Sequence, residues 1–321
     1  MTAGRAAIRH RMQRNVLASP RECTIVTRRL SRRSFELANR VPNADNSSHT
    51  RTSSPRSARL HALSCRPATA DRFPLAAPRY LSRAPITEAL IDIRATVGSS
   101  FTPARLLDAK RLLRDSFPVA KDQKAAQVAV ETGRDFAATT TDLGLRGVFL
   151  YSKDERDVVQ FRMDGFTFNR LKPYTRWEQI LPRALEAWST FVALAEPTAV
   201  TRIAVRYINH VPVSGTHRDA LTALHTGLAL PTDLPGDFRS YGFKAQLDHP
   251  DGRTHANLVQ AVESGLKPGT FSVLIDIDVY RNSPELPMTT DELAREFETL
   301  REYKNQIFFS TLTDATADDL T

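Results

Sequence analysis

The chain has 321 residues, of which 41% are apolar and 8% aromatic, and it carries 44 basic against 36 acidic side chains. Two cysteines are too few for a disulfide scaffold, 13 glycines are too few for a collagen-like repeat, and no run of about 18 uncharged apolar residues is present to span a membrane. The length allows one large domain or two of ordinary size.

The positive charge is concentrated in the first quarter of the chain. Residues 1–83 hold 17 arginines, no lysine and four acidic residues, whereas the rest of the chain holds 27 basic and 32 acidic side chains. The sequence pI near 9.7 therefore reflects the N-terminal quarter, and the remainder is mildly acidic. The basic pI is no argument that the folded part binds nucleic acid.

Residues 1–77 are predicted to form a disordered tail, because they are rich in Arg, Ser, Ala, Thr and Pro and have no sustained apolar period. Three hypotheses stay open for this tail: an organellar transit peptide, an arm through which nucleic acid binds, or unselected sequence upstream of the true start, which we favour. Cys23 and Cys65 both lie in the tail, so the remainder is free of cysteine and compatible with a reducing cytoplasm.

Order is expected from about Pro78. Alternating apolar residues predict a strand over 86–97, and Thr102 with Pro103 predicts the start of a helix that runs to Phe117. Four short strands are predicted at 125–131, 147–152, 158–163 and 166–171, joined by tight turns and therefore antiparallel. Thr175 and Glu178 form a predicted capping box for the next helix, in which Pro182 marks a kink or the true start.

The second part of the chain repeats this order. A strand is predicted at 200–211, a short helix begins at Thr216, and further strands follow at 238–247, 256–263 and 271–280. Thr289 caps a last helix. Its apolar stripe carries Leu293, Phe297, Leu300, Lys304 and Ile307. Residues 313–321 are expected to fray, whereas residues 84–321 are expected to fold alone, with proteolysis stopping near Pro78.

The predicted fold class is therefore α+β. Residues 78–312 are interpreted as two tandem β-α-β(3-4)-α units, 78–197 and 198–312, that build a curved antiparallel sheet with helices on one side.

Four segments carry a family resemblance. Residues 82–94 (SRAPITEALIDIR), 174–178 (YTRWE), 202–213 (RIAVRYINHVPV) and 274–281 (LIDIDVYR) resemble a sporadically distributed prokaryotic family of unknown function. The resemblance implies a cytoplasmic, prokaryotic setting and a domain that begins after the tail, and it implies no activity.

The search for known catalytic motifs finds none. The sequence has no Gly-Lys dipeptide and hence no Walker A loop, and it lacks the GxGxxG, GxSxG and HExxH patterns. No cofactor is therefore predicted. The spacing of His210, His217 and His225 does not suit a metal site.

One set of charged residues is a candidate ligand-binding site. Strand alternation places Asp276 and Asp278 opposite their apolar neighbours, and it places the other members on the polar faces of two further strands. The six candidates are Asp92, Arg94, Arg202, Arg206, Asp276 and Asp278. If the strands are neighbours, these side chains form either a polar groove for a ligand or a solvated face with cross-strand ion pairs, the interpretation we favour. A metal held by the two aspartates lacks an evident third ligand.

Three classes of function are compatible with these observations. A non-catalytic module that binds a protein or a small molecule is favoured, because every catalytic motif tested is missing. The alternatives are a nucleic-acid-associated protein and an enzyme with an unfamiliar site on the polar sheet face.

Overall fold

The computed structural model describes residues 79–132, 136–226, 240–264 and 270–321, and it describes the backbone alone for 125–132, 136–143 and 264. All of these residues belong to one compact unit, Ala68–Thr321. The predictions made for the tail, including those for Cys23 and Cys65, lie outside the described residues.

Nine strands form one antiparallel sheet, in the order β2-β3-β4-β5-β1-β6-β9-β8-β7. The strands are β1 (Ile86–Thr96), β2 (Val119–Thr132), β3 (Phe136–Tyr151), β4 (Asp157–Arg162), β5 (Gly165–Leu171), β6 (Ala199–Ser214), β7 (Tyr241–Asp248), β8 (His255–Ser264) and β9 (Thr270–Leu286). The sheet is open, with β2 and β7 as its outer strands, and the central pair is β1 with β6. The predicted α+β class and antiparallel pairing are confirmed.

Five helices accompany the sheet among the described residues. They are α1 (Pro103–Leu112), α2 (Trp177–Ala195), α3 (His217–Thr222), α4 (Thr290–Thr311) and α5 (Asp314–Asp319). None of the described helices is long and apolar enough to cross a bilayer.

Helices cover the apolar face of the sheet. Every second residue of β1 from Ala89 to Ala95 is buried, as expected for a strand with one covered face. Trp188 of α2 contacts the ring of Phe166 with centroids 5.9 Å apart, and His217 of α3 contacts Phe271 at 4.3 Å. The stripe predicted for α4 is buried as well. These contacts bury the apolar side of the central strands and leave the opposite side open.

Some predicted helix boundaries are wrong. The first helix ends at Leu112 instead of Phe117, whose ring is nevertheless buried. The capping box at Thr175 and Glu178 does not form, because Arg176 is the N-cap residue and no side chain bonds the first turn. Pro182 therefore lies inside α2 rather than at its start. The caps predicted at Thr216 and Thr289 are confirmed by side-chain bonds to the amides of Asp219 and Glu292.

The predicted fraying of 313–321 is wrong, because this segment forms α5 and is packed. Leu320 is buried, and its carbonyl accepts a bond from the Arg83 amide at 3.0 Å. Arg79 pairs with Asp314 at 2.9 Å and with Asp318 at 2.5 Å. Residues 79–83 therefore belong with the C-terminal helix, which no local sequence pattern indicates.

Deleting residues 1–78 is expected to leave the free energy of unfolding within about 0.5 kcal/mol of that of the full chain, as for changes away from packed contacts. A chain that begins at Ala84 loses the contacts of Arg79 and Arg83 with α5 and should be less stable by about 1–2 kcal/mol. Urea unfolding of the three chains measures both differences. Equal stability of the two shortened chains would show that the contacts with α5 contribute nothing.

Candidate functional site

The structure brings all six predicted charged residues together on the open face of the sheet. Strands β1, β6 and β9 are neighbours, and their register sets Arg94 opposite Arg202 and Arg206 opposite Asp278. The intervening residues of each strand, such as Ile93 and Ile277, are buried under the helices. Alternation along each strand therefore separates the charged face from the core, as predicted.

Asp92 is the centre of this charged network. One of its oxygens accepts bonds from Arg162 at 2.8 Å and from the Thr167 hydroxyl at 2.7 Å. Its other oxygen accepts from Arg202 at 3.0 Å and from Arg94 at 3.3 Å. The Asp92 side chain is only 14% exposed, so this carboxylate is held by several strong, charge-assisted bonds.

Two arginine–aspartate pairs link β6 to β9. Arg206 donates from two nitrogens to the two oxygens of Asp276, at 2.8 and 2.5 Å, the geometry in which arginine binds a carboxylate most specifically. A single nitrogen of Arg202 donates to both oxygens of Asp278, at 3.1 and 3.0 Å, and the Arg202 guanidinium lies 4.9 Å from the ring centroid of Tyr280.

The pKa values of two carboxyl groups on this face, Asp92 and Glu88, are shifted in opposite directions. Burial raises the pKa of Asp92, but the three arginines and Thr167 more than offset this, so its pKa lies below the ordinary value. Glu88 lies on the same face, and burial raises its pKa. The nearby carboxylate of Asp276 raises it further, and Arg206 offsets only part of the shift. Asp92 is thus held as an anion, whereas the Glu88 carboxylate is less favoured than in water.

The geometry favours the interpretation of this face as a set of cross-strand ion pairs. Each of the three predicted aspartates already has an arginine partner, so none is free to bind a cation. Among the described residues, no three His, Cys, Asp or Glu side chains are grouped to hold a metal ion. Sequence reasoning missed Arg162, Thr167 and Glu88, although alternation along β1, β4 and β5 puts them on this face.

A second candidate site, which the sequence analysis did not identify, is a cleft at one end of the sheet. Its volume is about 1700 Å³, against about 300–1,000 Å³ for common ligand pockets. Its walls come from residues 79–87, 172–178 and 209–214 together with parts of α3, α4 and α5. We call this feature the end cleft.

Lys304 of α4 lies in the wall of the end cleft and is 7% exposed. Its ammonium is 3.9 Å from the ring centroid of Tyr207 and donates to the Asn305 side chain at 2.5 Å. Burial lowers the Lys304 pKa to about 7, and the neighbouring Arg301 contributes to the shift. No carboxylate of the described residues pairs with this ammonium.

The ring of Tyr207 contacts the Lys304 ammonium, and the ring of Tyr174 contacts that of Tyr207 in turn. The hydroxyls of Tyr174 and Tyr207 lie 3.3 Å apart, and burial raises the pKa of both. Tyr207 is 1% exposed and lies in the core with its hydroxyl next to that of Tyr174. Asn209 donates to the backbone carbonyl of Ile275 on the adjacent strand at 2.9 Å.

Two sequence signals point to the end cleft in retrospect. The apolar stripe of α4 contains a lysine at a position where leucine or phenylalanine would be ordinary, and three of the four segments with the family resemblance contribute to the cleft walls. Neither signal identifies a site until the topology places the segments together.

A comparison of the chain with protein-family models and with curated proteins finds no match. The family resemblance therefore stays a prediction.

Proposed function

We propose that this protein is a non-catalytic binding module and that a small molecule binds in the end cleft. The observation that carries the proposal is the end cleft itself, which combines a large volume with a wall of aromatic, aliphatic and charged side chains. Small molecules bind preferentially in concave sites that offer both apolar surface and polar groups. The missing catalytic motifs favour binding without turnover.

The polar sheet face is the weaker candidate. Its arginines and aspartates bond one another, so a ligand would have to replace bonds that the protein already makes. In the end cleft, by contrast, Lys304 has no carboxylate partner and the rings of Phe308 and Phe309 line the wall. A ligand there gains contacts without breaking an ion pair.

The test uses phenylnaphthylamine, a neutral fluorophore whose emission rises in apolar surroundings. Ala315 is exposed on α5 and lines the end cleft, so Ala315→Trp should fill part of the space and weaken binding at least tenfold. Ala104→Trp places the same ring at an exposed position on α1, away from the cleft, and should leave binding unchanged. Equal binding to both variants would overturn the proposal.

We also infer that the fold arose by tandem duplication. In the sheet order, β5 and β1 of the first half mirror β9 and β6 of the second half, and each half starts with a strand and ends with a long helix. The correspondence supports the two predicted units, although the first half has four strands after its first helix and the described second half has three. A cytoplasmic, prokaryotic setting rests on the family resemblance alone.

A further inference from the structure

We infer that the end cleft binds an amphipathic anion, with a carboxylate or phosphate head paired to Lys304 and an apolar body against the aromatic wall. This inference rests on the proposed function and names the class of ligand. It is argued from the charges of the cleft, their partners and the composition of the walls.

Lys304 is buried, and no carboxylate of the described residues pairs with its ammonium. A buried ammonium is costly unless it is paired, and buried lysines are accordingly rare. Lys110 of α1, by contrast, is 32% exposed and pairs with Asp122 at 2.5 Å. The partners of Lys304 among the described residues are the ring of Tyr207 and the amide oxygen of Asn305. An anion in the cleft would supply the missing partner.

Basic side chains outnumber acidic ones in the described wall of the end cleft. Arg301 lies one turn away on α4, and Lys172 and Arg176 are exposed at the cleft wall with no ion pair among the described residues. Two of the three acidic residues described in the wall, Glu178 and Asp219, are already engaged, and the third, Asp319, is exposed. Glu178 pairs with Arg301 at 3.5 Å.

Asp219, a further acid of the wall, accepts the Thr216 amide at 2.6 Å as part of a helix cap. The described wall of the cleft holds six Arg and Lys side chains against three acidic ones, and a cleft with low-dielectric walls concentrates the resulting positive field.

Aromatic side chains lie near the Lys304 ammonium in the wall of the end cleft. Phe308 and Phe309 lie on α4 within about one turn of Lys304, and their rings contact at 5.3 Å. Trp177 and Pro173 line the end cleft from the other side. A ligand that is anionic at one end and apolar along its length matches both parts of the site, whereas a free inorganic anion would leave the apolar wall in water.

The charge state of Lys304 links binding to pH. Its pKa of about 7 means that an anion binds together with a proton above neutral pH, so affinity should fall up to tenfold per pH unit above about 7. The groups next to the ammonium are Arg301 and Asn305 on the same helix and Tyr207 on β6. Comparison with a Lys304 variant isolates the lysine from the other residues of the wall.

The experiment compares two dyes on the full chain. Anilinonaphthalene sulfonate is phenylnaphthylamine with one added sulfonate, so the pair differs only in the anionic head. Wild type should bind the sulfonate at least tenfold more tightly. Lys304→Met should abolish that preference and leave phenylnaphthylamine binding unchanged, and Lys110→Met should alter neither affinity.

Competition identifies the head group. Displacement of the sulfonate dye by naphthoate indicates a carboxylate ligand, and displacement by naphthyl phosphate indicates a phosphate ligand, so either result supports the inference. Displacement by neutral naphthylmethanol alone would overturn it.

The outcomes separate the two proposals. If both dyes bind wild type and Lys304→Met equally well but Ala315→Trp blocks them, the cleft binds ligands and the anion inference is wrong. If Ala315→Trp blocks neither dye, the proposed function itself fails.

Discussion

Lys304→Met should stabilise the protein by about 3 kcal/mol at pH 7, which is the opposite of what most buried substitutions do. Burial lowers the Lys304 pKa from 10.5 to about 7, so folding releases a proton that the unfolded chain holds tightly. The full penalty of such a shift is roughly 5 kcal/mol at 1.4 kcal/mol per pH unit. The contacts with Tyr207 and Asn305 offset part of it, and methionine fills the same space without a charge.

The stability difference between wild type and Lys304→Met depends on pH. A lowered pKa in the folded state makes wild type gain stability as the pH rises from 7 towards 10.5, whereas the methionine variant lacks that gain. The difference between the two proteins should therefore narrow by roughly 1.4 kcal/mol per pH unit between pH 7 and 9. Urea unfolding at several pH values measures it.

Lys110→Met is the matched control for this experiment. Lys110 is 32% exposed and paired with Asp122, so the control should change stability by less than about 1 kcal/mol. A loss of stability in Lys304→Met at every pH would mean that the ammonium is charged and satisfied by its internal contacts.

Asp92→Ala should destabilise the protein by about 3 kcal/mol, because it removes a nearly buried carboxylate that bonds three guanidinium groups and a hydroxyl at once. The side chains of Asp92 and Arg162 are 14% and 12% exposed, and Arg202 also bonds the same carboxylate. The loss is larger than for an exposed ion pair because water cannot replace the missing partner. Chemical unfolding at pH 7 measures the difference.

Arg206→Ala provides the comparison within the same network. The Arg206 side chain is 38% exposed and pairs with Asp276 alone, so its loss should cost about 1 kcal/mol. If the sheet face were instead a ligand site held ready by other contacts, Arg206→Ala would keep stability within about 0.5 kcal/mol and abolish binding.

Lowering the pH tests whether the negative charge of Asp92 accounts for the difference in stability between wild type and Asp92→Ala. Its pKa is lowered in the folded state, so its stabilisation is present above the unfolded pKa near 4 and is lost as the pH falls through the lower folded value. The difference between wild type and Asp92→Ala should therefore shrink below about pH 4. A difference that is independent of pH would point to packing rather than charge.

Local sequence patterns were sufficient for features that depend on neighbouring residues. Alternation in β1, β6 and β9 predicted which side chains face the core, since successive residues of a strand point to opposite sides. The caps at Thr216 and Thr289 were predicted for the same reason, because a cap involves residues only three positions apart. The failures at Thr175 and in 313–321 arose where distant segments decide the outcome.

By itself, then, the sequence determined the α+β class, the antiparallel strands and the separation of charged from apolar faces, all of which follow from short-range periodicity. Only the tertiary structure decided that β1, β6 and β9 are neighbours, which turns six separate charges into ion pairs around Asp92. It also decided that a lysine in the stripe of α4 faces a cleft built from residues more than 200 positions apart. Contacts of that kind depend on how elements pack, and no local pattern encodes them.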